Sequence, residues 1–553
     1  MSSLSPYRIS QRCPPDRRNA RRATIVETRE QYAWASDDLQ GDPAEGFRLP
    51  DHIAALPKDE NFSTQKLVEL FGHKFQGQLN AKLSPGRIRH LDDYGRMFTL
   101  VPKPSSAARW DRDVEFARQR LAGVNPMLLR AVDASPSKAL ADAADRTLRE
   151  RGDSLAKALD RGAVFETDCG VLREECIQRH VRRFQRHLAA PRSLFVVGED
   201  RVLRPVAIQL WPDDQPGPNP AYGPHDDPWA WRLARWHAQC ADATMHEGLF
   251  HLFETHLVSE VVAVALARTL HPTHPVFQLL KEHFSFNLAI DVLARSDMLA
   301  PGLAIDMALS AGSAGAINAM RLWFNHGWSW QERSLAKDLA KRGVADPARL
   351  PGYHYRDDAL PVRDAIGHYS RDTMADFYDD DDAVAGDFEL QDWARETSSK
   401  LPGFPVKFET GAALFETLAE VIFRASAQHS AVNNGQFEAY GYIPNAPGLL
   451  LTAPPTQSSY TEGEALAALP KGPGIYAQVT MAWVLSEPTH YGIMGLGNVP
   501  AFDAAYSPAA RQAVAAARRR FAACAGAVAA RNADLEVPYT YLDPRNIELS
   551  SGT

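Results

Sequence analysis

The chain is expected to be mainly α-helical with a minor β contribution, and three observations carry that expectation. Ala/Arg/Leu-rich stretches such as 137–162 favour helix over much of residues 46 to 200. Further helical segments run from Gly411 to Gln436 and from Pro508 to Ala530. Between them lies the apolar run Trp236 to Leu257, which carries His246, His251 and His256 at intervals of five. In a regular helix of about 3.6 residues per turn, residues five apart diverge by roughly 140°. A π-type segment, bonded i to i+5, brings such a pair nearly onto one face. If His251 and His256 share a metal, the central helix carrying them is therefore widened.

The other elements follow in order. Residues 1–45 are polar, with Arg12, Arg17, Arg18, Arg21 and Arg22 clustered, and are expected to form a flexible arm. Contact of that arm with anionic lipid is the alternative. Phe195-Val196-Val197 and Val206-Ala207-Ile208-Gln209-Leu210 have the pattern of a short hairpin. The run Trp211 to Pro228 holds six prolines and is expected as a loop before the histidine-bearing helix. Asp379 to Asp382 fits a solvated turn better than a calcium site, because no EF-hand spacing follows.

Composition excludes more than it identifies. With 553 residues, 45% apolar and 23% charged, the chain can bury a large core, and length alone would allow several domains. A formal charge of −8 argues against nonspecific nucleic-acid binding. Cys13, Cys169, Cys176, Cys240 and Cys524 are odd in number and scattered, so reduced thiols are expected. No stretch stands out as a membrane span, and the N-terminus shows no apolar signal core. A cytoplasmic protein is expected.

Imidazoles converging on a buried point suit a transition metal. Almost two hundred residues after the first run comes a second His-x-x-x-Asn, His429 to Asn433, able to meet it in space. Zinc patterns do not fit. His246-Glu247…His251 is one residue too long for His-Glu-x-x-His, and His251…Glu254…His256 misses the inverted motif by one. Packed histidines of a long helix are the competing reading, and three on one apolar run weigh against it.

Trp231…Ala241-Asp242…His246…His251…Thr255-His256-Leu257-Val258-Ser259-Glu260 resembles the central helix of lipoxygenases. The likeness continues through His274-Pro275-Val276-Phe277, Tyr355-Arg356-Asp357-Asp358, His429…Asn433…Gly435-Gln436 and Pro538-Tyr539…Tyr541-Leu542. It covers roughly residues 120 to 553. The resemblance implies a single helical catalytic domain over 46–553, of the bacterial type without an N-terminal β-barrel, since little β-patterned sequence precedes it. It also implies one non-haem iron, with manganese possible. The implied ligands are His251, His256, His429, Asn433 and the main-chain carboxylate of Thr553. His246, Glu247 and Gln436 would support the ligands. Leu252 would pack against the reacting pentadiene, and Ala294 matches a position where alanine accompanies S products.

The implied activity is insertion of O2 into polyunsaturated fatty acids. Hydrogen abstraction by metal(III)-hydroxide would give fatty-acid hydroperoxides, with no catalytic side-chain base. A monomer with at most transient lipid contact is expected. Two residues depart from the family pattern. Thr553 stands where the family usually has Ile, on a tail (Ser551-Gly552-Thr553) expected to anchor weakly. Glu247 stands where Gln is common, and a protonated Glu247 could pair with Gln436. The alternatives are a silenced lipid-binding or sensing protein, a manganese enzyme, or a hydroperoxide-converting one.

Overall fold

The computed structural model describes residues 8–41, 46–84, 88–132, 136–212, 217–487, 495–499 and 508–552. Its axis is one continuous helix. Pro228–Met245 is α-helical, His246–Leu257 is π-helical, and Val258–Thr269 is α-helical again. Asp227 caps the start by accepting from the amides of Trp229 and Ala230, at 3.1 and 3.0 Å. The proline-rich loop therefore ends one residue earlier than its last proline, because Pro228 suits the first helical position.

This 42-residue element corrects the expectation that nothing in the chain could pass for a membrane span. It is long and apolar enough by composition, yet its most apolar window is 94% buried inside the protein. A helix apolar all round belongs in a core as well as in a bilayer. Three of its buried acids meet arginines, as burial favours. Asp242 meets Arg120 at 2.7 Å, Glu254 meets Arg333 at 2.8 Å, and Glu260 meets Arg295 at 2.7 Å.

The β contribution exceeds the expected hairpin. A small ladder joins β1 (Trp34–Ala35) to β2 (His52–Ile53). A five-stranded antiparallel sheet runs in the order β3 (Arg130–Ala131), β4 (Val164–Asp168), β5 (Arg192–Val197), β6 (Leu203–Gln209) and β7 (Ala221–Tyr222). Alternation along β5 sorts the faces. Phe195 joins the main core, where it stacks on Phe116 with centroids 5.7 Å apart. Leu194 and Val196 turn to a smaller cluster under the helix Lys138–Arg149.

The flexible arm proposed for residues 1–45 is wrong over the described residues 8–41. Pro15–Gln31 is a helix lying along Val258–Thr269, and Ile9 and Tyr32 are buried. The arginines are the reason. Arg21 forms a buried pair with Glu389, its Nη2 donating to Oε2 at 2.9 Å, and Arg29 donates to the Arg268 carbonyl at 2.9 Å. The polarity of this segment reflects docking and not mobility, because these cations answer acids and carbonyls on the body.

Two stability measurements test this packing. Arg21→Ala leaves Glu389 buried without its cation and should cost about 3 kcal/mol in denaturant unfolding, against under about 0.5 for exposed Arg17→Ala. Equal effects would overturn the docked arm. The second concerns His237 and His283, both fully buried. Burial depresses them to about 3 and about 4 respectively. The unfolded chain, with imidazoles near about 6.5, then binds protons that the fold refuses. Stability should fall as pH drops from about 6.5 toward about 4, by up to about 1.4 kcal/mol per pH unit per imidazole. His237→Met should remove one imidazole's share of that slope.

Candidate metal centre

The widened segment does what the spacing demanded. His251 and His256 point the same way, their Nε2 atoms 3.3 Å apart. A second π-helical segment, Arg424–Gln428, immediately precedes His429 and was not foreseen from sequence. It delivers the His429 Nε2 to 3.1 Å from that of His256. The rings meet nearly edge-on, at 74° for His251 with His256 and 84° for His256 with His429. All three are buried. An ion about 2.1 Å from each nitrogen, with angles between 90° and 109°, requires nitrogens about 3.0 to 3.4 Å apart. The observed separations match.

Protonation supports the same conclusion. The Nδ1 of His251 lies 3.1 Å from Glu247 Oε2, and the Nδ1 of His256 lies 2.9 Å from Asp291 Oδ1. Each Nδ1–H donates to its carboxylate, so each Nε2 turns a lone pair inward. Burial brings both imidazoles down to about 4, and burial together with the two neighbouring rings lowers His429 further. His251 and His256 thus aim lone pairs at one dry point, where the His429 Nε2 joins them, a donor set that suits a cation.

Around this point the structure places the remaining candidates. His246 stacks parallel to His251 at 5.9 Å, but both its nitrogens are occupied. Its Nε2 donates to the Val432 carbonyl at 2.7 Å, and its Nδ1 accepts from the Tyr440 hydroxyl at 3.0 Å. Asn433 is buried, and its Oδ1 accepts from the Gln436 amide at 2.9 Å. Gln436 therefore holds Asn433, and the suggested Glu247–Gln436 pair gives way to the Glu247–His251 bond. Burial raises the Glu247 carboxyl, and the His251 Nδ1–H bond opposes it and favours the ionised form. Leu252 follows His251 directly and is half-buried against the core. Ala294 lies one turn after Asp291 on the helix Asn287–Asp297.

Thr553 lies outside the described residues. The tail leading to it is held firmly up to Ser551, against the expectation of weak anchoring. The His283 ring donates to the Leu549 carbonyl at 2.9 Å, and the Ser550 hydroxyl donates to the Ser285 carbonyl at 2.7 Å. The Asn287 amide donates to both Ser551 Oγ, at 3.0 Å, and Asp291 Oδ2, at 3.2 Å. Tail, Asn287, Asp291 and His256 form one hydrogen-bonded chain. Burial and neighbouring Glu260 push the Asp291 carboxyl upward, with Arg295 opposing. A cation on the His256 ring favours the ionised form.

Sequence reasoning missed Asp291, Asn287 and His283. The available signal was a lone acid inside the apolar run Leu288 to Ala294, since a fully buried carboxylate needs a partner. Asp291→Ala should lower metal affinity about 10- to 100-fold, measured by competition with a chelator. An unchanged affinity would remove Asp291 from the metal centre.

Comparison with known proteins completes the picture. The Lipoxygenase family model matches residues 98–480. The mouse polyunsaturated fatty acid lipoxygenase ALOX8 is 32% identical over 559 residues, covering 97% of this chain and 80% of that protein. The human polyunsaturated fatty acid lipoxygenase ALOX15B is 34% identical over 508 residues, covering 89% and 73%. A solved lipoxygenase structure in complex with arachidonate superposes with a TM-score of 0.90 at 29% identity, covering 99% of this chain and 83% of that one. The coral 8R-lipoxygenase structure gives 0.89 at 29% identity, with the same coverage. The buried histidine centre on a widened helix and these matches along nearly its whole length agree: the chain belongs to the lipoxygenase family.

Proposed function

We propose that the chain is a non-haem iron dioxygenase that converts polyunsaturated fatty acids and O2 into hydroperoxides, acting as a monomer. The convergence of three neutral imidazoles, with Nε2 atoms 3.1 and 3.3 Å apart, carries the reading. A redox metal held there supplies the one-electron chemistry that removes a hydrogen atom from a doubly allylic methylene. The chain's own residues do the rest. His251, His256 and His429 hold the metal, with Asn433 and the Thr553 carboxylate completing the ligand set. Glu247 and Asp291 fix two of the rings. Leu252, beside His251, registers the pentadiene, and the small side chain of Ala294 favours S products. The buried apolar surroundings exclude water that would quench radicals.

Glu247 also bears on the alternative of a silenced lipid-binding protein. Its carboxylate orients His251 from behind, and so supports the ligand set without occupying the metal point. That favours activity.

Metal analysis of the purified protein, paired with conjugated-diene absorbance on linoleate, tests the proposal. Iron with diene formation is expected; manganese with diene formation would change only the metal. Absence of both metal and diene would sink the dioxygenase reading. His429→Ala should lose metal, whereas His246→Ala should retain more of it. Deleting Thr553 should lower metal occupancy, and an unchanged occupancy would remove Thr553 from the ligand set.

A further inference from the structure

Glu254 lies between His251 and His256 in the central π segment, and its carboxylate is fully buried. Its bonds run to the second π segment, Arg424–Gln428, and to the packing behind it. Oε2 accepts from the Gln428 side-chain amide at 3.5 Å and lies 3.7 Å from Arg424 Nη1. Arg424 and Gln428 are the first and last residues of that segment, and Gln428 directly precedes His429. One carboxylate thus spans the widened turn that delivers the third imidazole. Oε1 is held from the other side, by Arg333 Nε at 2.8 Å and Trp323 Nε1 at 3.1 Å.

Arg424 returns the contact through the backbone. At the end of the central π segment the Val258 amide reaches back five residues to the Phe253 carbonyl. Where bonds spanning five residues give way to bonds spanning four, the ladder skips a carbonyl, and a buried carbonyl needs a donor. The next carbonyl is that of Glu254, and Arg424 Nη1 donates to it over 3.5 Å. Arg424 Nη2 donates to the Arg333 carbonyl at 3.2 Å and to Glu420 Oε1 at 3.3 Å. The guanidinium lies 4.9 Å from the centre of the Trp330 ring. Further out, Asp338 pairs with Arg333 and, at 2.7 Å, with Arg342.

Glu254, Glu420 and Asp338 therefore balance Arg333, Arg342 and Arg424 inside the protein. Apolar packing of similar volume often matches such pairs in stability. Directional bonds add register, because a guanidinium fork and a carboxylate fit each other in few orientations. Within this cluster, Glu254 and Arg424 lie on the two π segments themselves. Asp338 is bonded to Arg333 and Arg342, which lie outside both.

We propose that Glu254 and Arg424 are positioning residues that lock the two widened turns in one register. They thereby set the approach of the His429 imidazole to those of His251 and His256; this rests on the metal-centre reading. The test takes the full chain, cleared of metal and titrated with cobalt(II), whose visible absorption reports ligand geometry. E254Q and R424M should bind cobalt about 10- to 100-fold more weakly than the parent, with altered absorption. D338N removes a charge from the same cluster without touching either π segment. It should lower the denaturant midpoint about as far as E254Q does, yet bind cobalt like the parent. R424K keeps the buried charge but lacks the two-nitrogen fork, so it should fold and still lose about tenfold in affinity. The inference is overturned if E254Q and R424K bind cobalt with the parent's affinity and absorption. It is also overturned if D338N loses as much affinity as they do, since general loosening would then suffice. A parent that binds no cobalt would fail the metal-centre reading and this inference with it, whereas a binding parent with unchanged variants fails the inference alone.

Discussion

The structure depends on a local change of helical pitch. His251 and His256 are five apart, and a regular α-helix would separate them by roughly 140°. The π segment His246–Leu257 brings their Nε2 atoms to 3.3 Å, and Arg424–Gln428 then delivers His429 to the same point. Widened turns sacrifice regular backbone bonding and are held by tertiary packing. Here the packing is nearly complete, because almost every residue of the helix is buried.

That enclosure imposes an electrostatic requirement. Each acid or base carried into the interior needs a partner, and the structure provides them across long sequence distances. Arg333 neutralises Glu254, Arg295 neutralises Glu260, and Arg21 reaches Glu389 from 368 residues away. The same logic acts at the metal centre, where Asp291 and Glu247 answer the Nδ1–H groups of His256 and His251. His251 and His256 are thereby oriented before any ion arrives. Orientation is part of the fold, not a consequence of binding.

What could be read from the sequence follows from this division. The histidine spacing, the widened turn and the helical body are local and periodic, so they were legible. The β5–β6 hairpin was legible from alternation, whereas β3 and β7 are two residues long and carry no period. The partners of the buried charges were not legible. Nothing near Arg21 in sequence announces Glu389, and so a helix packed on the core passed for a flexible arm. Asp291 likewise has meaning only once His256 is beside it. The tail misled because Ser550 and Ser551 are polar, yet both are fully buried through hydrogen bonds to Ser285 and Asn287.

Glu247 shows how one departure changes a site without dismantling it. A glutamine there could present only a neutral oxygen to the His251 Nδ1–H. A carboxylate accepts the same bond with a full charge, which makes it stronger and increases electron density on the ring. The carboxylate is bonded through Oε2 to His251, while Oε1 lies 3.5 Å from the His246 Nδ1 without a hydrogen bond. A negative group behind a ligand favours the more positive state of whatever ion the ligand holds. The substitution therefore adjusts the electrostatics of the centre from behind His251 and leaves the converging Nε2 atoms where the helix puts them.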